Sequence, residues 1–258
     1  MNETIQQIMA VLYRNIIWSY RSPFRLADVF IWPLLLLFTF TFFLLLVGYD
    51  VQYIGIIVLA VIAWKGMFFV TFEISTIFVE EHWDDSLPNL LVSPITAFTL
   101  AMGGAITGLL KSLLVLIICL AVSFLAYGFV LTDLLTFAIG IFFIFLSSFS
   151  IGFALFGLAC CYDKRNIFTL GFVLPEVLGL LCGPYFNVEQ VFPQWFVSIV
   201  NLFPMTHAFN VIKSVFGLAQ PDYFMLIITT VIWLGLSIVI HHTFYDMGRR
   251  KGTLVKVG

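Results

Sequence analysis

Apolar stretches divided by short polar breaks make up most of the chain. Near the start, Ile5, Ile8, Met9, Leu12, Ile16 and Ile17 recur at helical spacing on one face, while Gln6, Gln7, Arg14 and Asn15 fall largely elsewhere. The pattern predicts an amphipathic helix in the membrane interface, with Trp18 and Tyr20 at headgroup level and Ser22-Pro23 ending it. Apolar runs at about 29–47, 53–78, 109–130, 134–160, 167–181 and 223–240 then predict six spans, since a helix needs about 20 apolar residues to cross a bilayer. Gly48-Tyr49-Asp50 reads as a turn, Pro94 opens a helical lead-in to the third span, and Thr132-Asp133 can cap the fourth.

One segment departs from this alternation. Across 182–222, Pro184, Pro193, Pro204 and Pro221 interrupt apolar pieces at 195–203 and 208–218 that are too short to cross. Such pieces read as re-entrant, because broken backbone at membrane depth must be covered by protein or line a wet cavity.

Composition confirms the membrane class. Of 258 residues, 62% are hydrophobic and 10% charged, against about 25% charged in a soluble domain. A soluble enzyme, a disordered chain and a nucleic-acid binder are excluded, the last because the net charge is −2. The expected fold is an all-α membrane protein: a single domain over 1–258, with an interfacial helix at 1–25, a cytosolic loop at 79–99 and an extracytoplasmic re-entrant region at 182–222. The start lacks the basic, apolar and small-residue order of a cleaved signal.

Positive charge sets the expected orientation. With both termini inside, the inner segments hold Arg14, Arg21, Arg25, Lys164, Arg165, Arg249, Arg250, Lys251 and Lys256, whereas the outer ones hold only Lys213. The expected location is the plasma (inner) membrane. Cys119, Cys160, Cys161 and Cys182 lie in or beside apolar runs and read as buried thiols.

The loop after the second span concentrates acids: Glu80, Glu81, Asp84 and Asp85 precede a short helix at 87–92, which Asp85 or Ser86 can cap. Leu87, Leu90 and Leu91 give it an apolar face, and Ser93-Pro94 reads as the start of the next helix. The acids lack the glycine-centred order of a calcium loop, so no metal site is expected.

Ionisable residues inside spans are functional candidates because hydrocarbon makes them costly. Lys65 and Glu176 fall at similar depth, as do Glu73 and Lys111, and each couple could pair either as a packing lock or as part of a substrate path. His207, following Pro204 and Thr206, could gate or simply bond a helix start; His241-His242 read as interface residues.

The stretch EEHWDDSLPNLLVSPIT resembles the cytosolic loop of type-2 ABC exporter permeases, which move polysaccharides, lipids or drugs. Leu90-Leu91-Val92-Ser93-Pro94 matches the family pattern; Asp85 stands where glycine is usual, Ser86 replaces threonine, and Pro88 replaces a common acid. A second stretch also resembles the family, with Gly183, Phe186, Pro193, Trp195, Pro204, Thr206 and Gly217 in place and Lys213 where arginine is common. The resemblance implies a permease acting with a second copy or a close paralogue. It implies two ABC ATPase subunits that bind ATP and Mg, docked on the short helix through Glu81, Asp84, Asp85, Leu87, Leu90, Leu91, Ser93 and Pro94. Lys65, Glu73, Glu176, Pro204, Thr206 and His207 would serve translocation or gating, with no catalytic residue and no cofactor on this chain. Independently, the sequence has no GxxxxGK[ST] phosphate loop. An ion-coupled carrier or a membrane-embedded enzyme without an ATPase is the alternative. The 30 Phe residues suit a path for sugars, lipids or apolar drugs alike.

Overall fold

The computed structural model describes residues 3–48 and 53–252; the expected turn at Tyr49-Asp50 and the tail residue Lys256 lie outside the described residues. Eleven helices follow one another among them: α1 (Glu3–Arg21), α2 (Pro23–Leu46), α3 (Ile54–Trp83), α4 (Leu87–Val92), α5 (Ala97–Tyr127), α6 (Leu134–Ala159), α7 (Lys164–Leu181), α8 (Val188–Val191), α9 (Gln194–Val200), α10 (Pro204–Ser214) and α11 (Tyr223–Lys251). Five of these, α2, α3, α5, α6 and α11, are long and apolar enough to cross a membrane.

The bundle is organised around α3. Its most apolar stretch is 94% buried within the protein, against 22% for α2 and for α11. Close approach of α5 to α3 depends on the Gly104-xxx-Gly108 spacing: a Cβ at Gly104 would sit 2.8 Å from the Glu73 carbonyl oxygen, and one at Gly108 2.7 Å from the Phe69 oxygen. Small residues four apart let two backbones meet, which is how helices associate where lipid removes the hydrophobic drive.

Several boundaries differ from the sequence expectation. α3 continues through Trp83, so Glu80 and Glu81 occupy its last turn and not a loop. α5 begins at Ala97 under a reciprocal Thr96–Thr99 capping box, three residues beyond Pro94, because two threonines at this spacing satisfy each other's backbone N–H groups. Ser86 precedes α4 without capping it through its side chain. α11 runs on through Arg249, Arg250 and Lys251, with its left-handed C-cap at Gly252.

α7, the expected fifth span, is an 18-residue helix carrying Lys164, Arg165 and Glu176, a charge load that sets it apart from the five long apolar helices. It nevertheless runs antiparallel along α3. Phe168 meets Trp83, with ring centroids 4.8 Å apart, and further along Gly171 faces Ser75 and Gly179 faces Trp64.

The region after α7 folds as a hairpin entering the bundle from the end opposite the basic residues. α9 and α10 meet at 96° across a short break. At that break Leu202 accepts the Trp233 indole N–H at 2.9 Å, and Phe203 stacks on the same ring. Trp233 lies ten residues into α11, or about 15 Å along its axis. α10 then returns past Gly140 of α6, and Phe216 ends up beside Gly55 near the start of α3. The prolines thus mark short helices, α9 and α10, joined at a sharp bend, as the interrupted apolar pattern predicted.

The first helix is less peripheral than its pattern implied. Val11 and Asn15 are buried, Val11 lies against Gly103, and the Asn15 amide donates to Thr107 Oγ1 at 3.2 Å. Asn15, assigned by periodicity to the polar face, is therefore the residue that ties α1 to α5. Ile5, Met9, Ile16 and Tyr20 stay exposed on the other side.

Candidate functional site

At the basic end of the bundle, α1, α2 and the end of α3 are joined by a knot of paired charges. The Arg14 guanidinium contacts the Glu81 carboxylate, whose other oxygen accepts the Ser86 hydroxyl. Arg25 reaches Glu80 at 2.5 Å while stacking over the Trp18 ring, 3.8 Å from its centroid. Burial pulls the Arg14 pKa below its ordinary value, against the raising effect of Glu80 and Asp84. Two of the four acids, Glu80 and Glu81, thus pair with arginines more than fifty positions earlier, a pairing that only the tertiary fold creates.

Glu81 consequently turns inward, with its side chain 5% exposed. Asp84 and Asp85 face outward. Asp85 has φ of 53°, in the left-handed region. Aspartate tolerates that region better than most residues, and glycine adopts it freely. The resemblance placed glycine at this position, and the backbone explains why.

The six-residue α4 follows. Pro88, Asn89 and Val92 are exposed, Val92 by 85%. Leu90 is half-buried; the side chains of Leu87 and Leu91 lie outside the described residues. Ser93 does not open α5. Its hydroxyl donates to the Leu90 carbonyl at 2.6 Å and accepts from the Ile95 N–H at 3.3 Å, closing α4, and Pro94 is exposed beyond it.

A second cluster lies along the α3–α7 seam. Aromatic rings form a continuous column: Trp83, Phe168, Phe72, Phe68, Trp64, Tyr185 and Phe40 are linked by neighbouring contacts, broken only between Phe68 and Trp64. Lys65 fills that break. Its ammonium lies 4.7 Å from the Phe68 ring centroid and 5.9 Å from that of Trp64, and bonds Glu176 at 2.8 Å. Trp64 Nε1 and the Tyr185 hydroxyl are buried here without a hydrogen-bond partner among the described residues. Of the pair, Lys65 is 7% exposed and Glu176 28%, so the seam borders the surface on its α7 side.

The other ion pair is enclosed. Lys111 meets Glu73 between α5 and α3, with both side chains under 10% exposed. Side chains lean towards the N-terminus of their own helix. Because α3 and α5 are antiparallel, these two lean towards each other.

In the re-entrant region Pro204 is the first residue of α10, Thr206 Oγ1 donates to the Val200 carbonyl at 2.8 Å, and His207 Nε2 lies 2.9 Å from the Asn201 carbonyl. All three sit at the bend between α9 and α10. Lys213 is buried and donates to the Phe186 carbonyl at 2.8 Å. His241, expected at the interface, is instead a core residue stacked on Phe153 at 4.0 Å and on Tyr245.

Sequence reading missed Arg14 and Arg25 as partners of Glu81 and Glu80, Trp18 as the ring under Arg25, and Gly104-xxx-Gly108. The glycine spacing was a usable signal; the arginine pairings had none.

A helical bundle with five helices long and apolar enough to cross a membrane, a short helix held between two of them and a bent helix pair has the architecture of a multi-pass membrane protein. A profile of the ABC-2 type transporter family matches residues 6–216, and the chain belongs to that family. It is therefore a membrane permease subunit of the ABC kind, a class that works in general with an ABC ATPase and is not itself catalytic. The sequence has no significant match among curated proteins.

Proposed function

We propose that this chain is the permease of an ATP-driven exporter, with its basic end in the cytoplasm, and that α4 docks a separate ATPase subunit. The observation that carries the reading is α4 itself. A six-residue helix with an outward face of Pro88, Asn89 and Val92 is held between the Arg14–Glu81–Ser86 knot and the Ser93 clasp. A mere connector needs neither anchor. Asp84 and Asp85 add a negative rim suited to a basic partner surface.

Translocation then runs beside the α3–α7 seam, where two copies of the chain face each other in the plasma membrane. The aromatic column supplies partly exposed rings along the seam at Phe40, Phe72, Phe168 and Tyr185. The Lys65–Glu176 pair marks a charged step, and the α9–α10 bend closes the outer side.

Co-purification tests this directly. Tagged permease co-expressed with its candidate ABC ATPase should retain that ATPase in detergent, and Val92→Asp should release it. Substrate export from cells or proteoliposomes should require ATP. A permease that is stable and active without any ATPase would overturn the proposal.

A further inference from the structure

The exposed side of α4 accounts for docking, but not for how motion enters the bundle. Among the described side chains of α4, only Leu90 turns towards its own protein. It sits over a small cavity lined by Phe78 of α3, Leu100 of α5, Phe156 of α6 and Tyr245 of α11, with Ile95, Thr96 and Ala97 at the rim. Four long helices therefore each supply one residue to the wall that Leu90 completes, and Leu90 packs against the core cluster that contains Phe78, Leu100 and Phe156. The free volume is about 30 Å³, room for little more than one water, so the socket is closely packed with Leu90 in its wall. The walls are firm: Phe78 and Phe156 pack edge to face at 5.7 Å, and Phe156 and Tyr245 both contact His241. Leu90 is also held at its backbone, with its N–H on the Ser86 carbonyl and its carbonyl on the Ser93 hydroxyl.

We infer that Leu90 is the positioning residue through which displacement of α4 reaches α3, α5, α6 and α11 together. Packed interiors shift between discrete arrangements and do not deform continuously. A side chain that closes one cavity walled by four helices bears on their shared packing, whereas hydrogen bonds at the ends of α4 hold only its neighbours. The inference rests on the ATPase-docking reading and adds the contact that converts docking into movement.

The test uses the full permease–ATPase complex in proteoliposomes. Leu90→Ala should leave the amount of co-purified ATPase unchanged while lowering transport per ATP hydrolysed by about tenfold. Leu90→Met, similar in volume and adaptable in shape, should restore most of it. Tyr245→Leu, which alters the far wall without touching α4, should reproduce the uncoupling. Val92→Asp should instead lose the ATPase. Normal transport by Leu90→Ala in an intact complex overturns the socket, as does loss of the ATPase from Leu90→Ala, which would make Leu90 a brace for the docking face. Failure of the wild-type permease to hold any ATPase would refute the docking reading itself, an outcome distinct from both.

Discussion

Arg14 on the first helix and Glu81 on the last turn of α3 form an ion pair that ties a surface helix to the most buried helix of the protein. The two ends are unequal: the Arg14 side chain is 40% exposed and that of Glu81 5%. Removing the arginine alone strands a buried carboxylate whose remaining partner is Ser86. Arg14→Gln should therefore destabilise the protein by about 1–3 kcal/mol, less than a fully buried pair would lose. Adding Glu81→Gln should recover part of that loss in thermal unfolding. Additive effects of the two changes would show that the pair is not energetically coupled.

The two pairs within the membrane region should respond differently. Glu73–Lys111 is enclosed on every side, so Lys111→Met should cost about 3–5 kcal/mol, with substantial recovery in Glu73→Gln/Lys111→Met. For Lys65–Glu176, which borders the surface, Lys65→Met should destabilise less and impair transport more. Lys65→Met/Glu176→Gln should then regain folding without regaining transport. A double variant that transports normally would reduce this pair to a packing lock.

At Asp85 the backbone makes its own prediction. Its left-handed φ of 53° penalises branched side chains most. Asp85→Val should lower stability by about 1–2 kcal/mol, whereas Asp85→Gly should change it by less than about 1 kcal/mol. A valine variant that melts with the wild type would contradict this.

Asp133 allows a pH test outside the spans. Hydrogen bonds from the Thr136 side chain and backbone hold its carboxyl below the ordinary 3.8. Its capping of α6 is therefore fully present above that ordinary value and fades as pH falls through the lower, folded one. Asp133→Asn keeps an N-cap without titrating. The stability gap between wild type and variant should shift only in that acid window, and a gap that moves between pH 6 and 8 would exclude Asp133 as its source.

What the sequence disclosed follows a physical division. Spans were legible because hydrocarbon demands long apolar runs, and the α9–α10 hairpin because prolines interrupt apolar pieces too short to cross. The ends of α3 and α5 were less so. Glu80 and Glu81 look like loop residues until Arg25 and Arg14 neutralise them within a helix, and Ser93-Pro94 looks like a helix start until the Thr96–Thr99 box outcompetes it. Asn15 was misplaced for a related reason: periodicity separates polar from apolar, but it does not say that a polar residue can face inward when Thr107 awaits it. The matching of Lys65 with Glu176 succeeded because both lie within helices, and α7 stays helical past Pro175 so that rise per residue still locates Glu176.

The indole of Trp233 carries a final consequence. It suspends the Leu202–Phe203 bend of the re-entrant hairpin from α11, and Tyr245, twelve residues further along the same helix, walls the socket beneath Leu90. About 18 Å of uninterrupted helix separates them. This stretch is a connecting rod between the two ends of the bundle: a push at the socket and a shift at the α9–α10 bend are one movement unless α11 flexes. Gly235, whose missing Cβ would meet nothing within 4 Å, is the place where that rod can give.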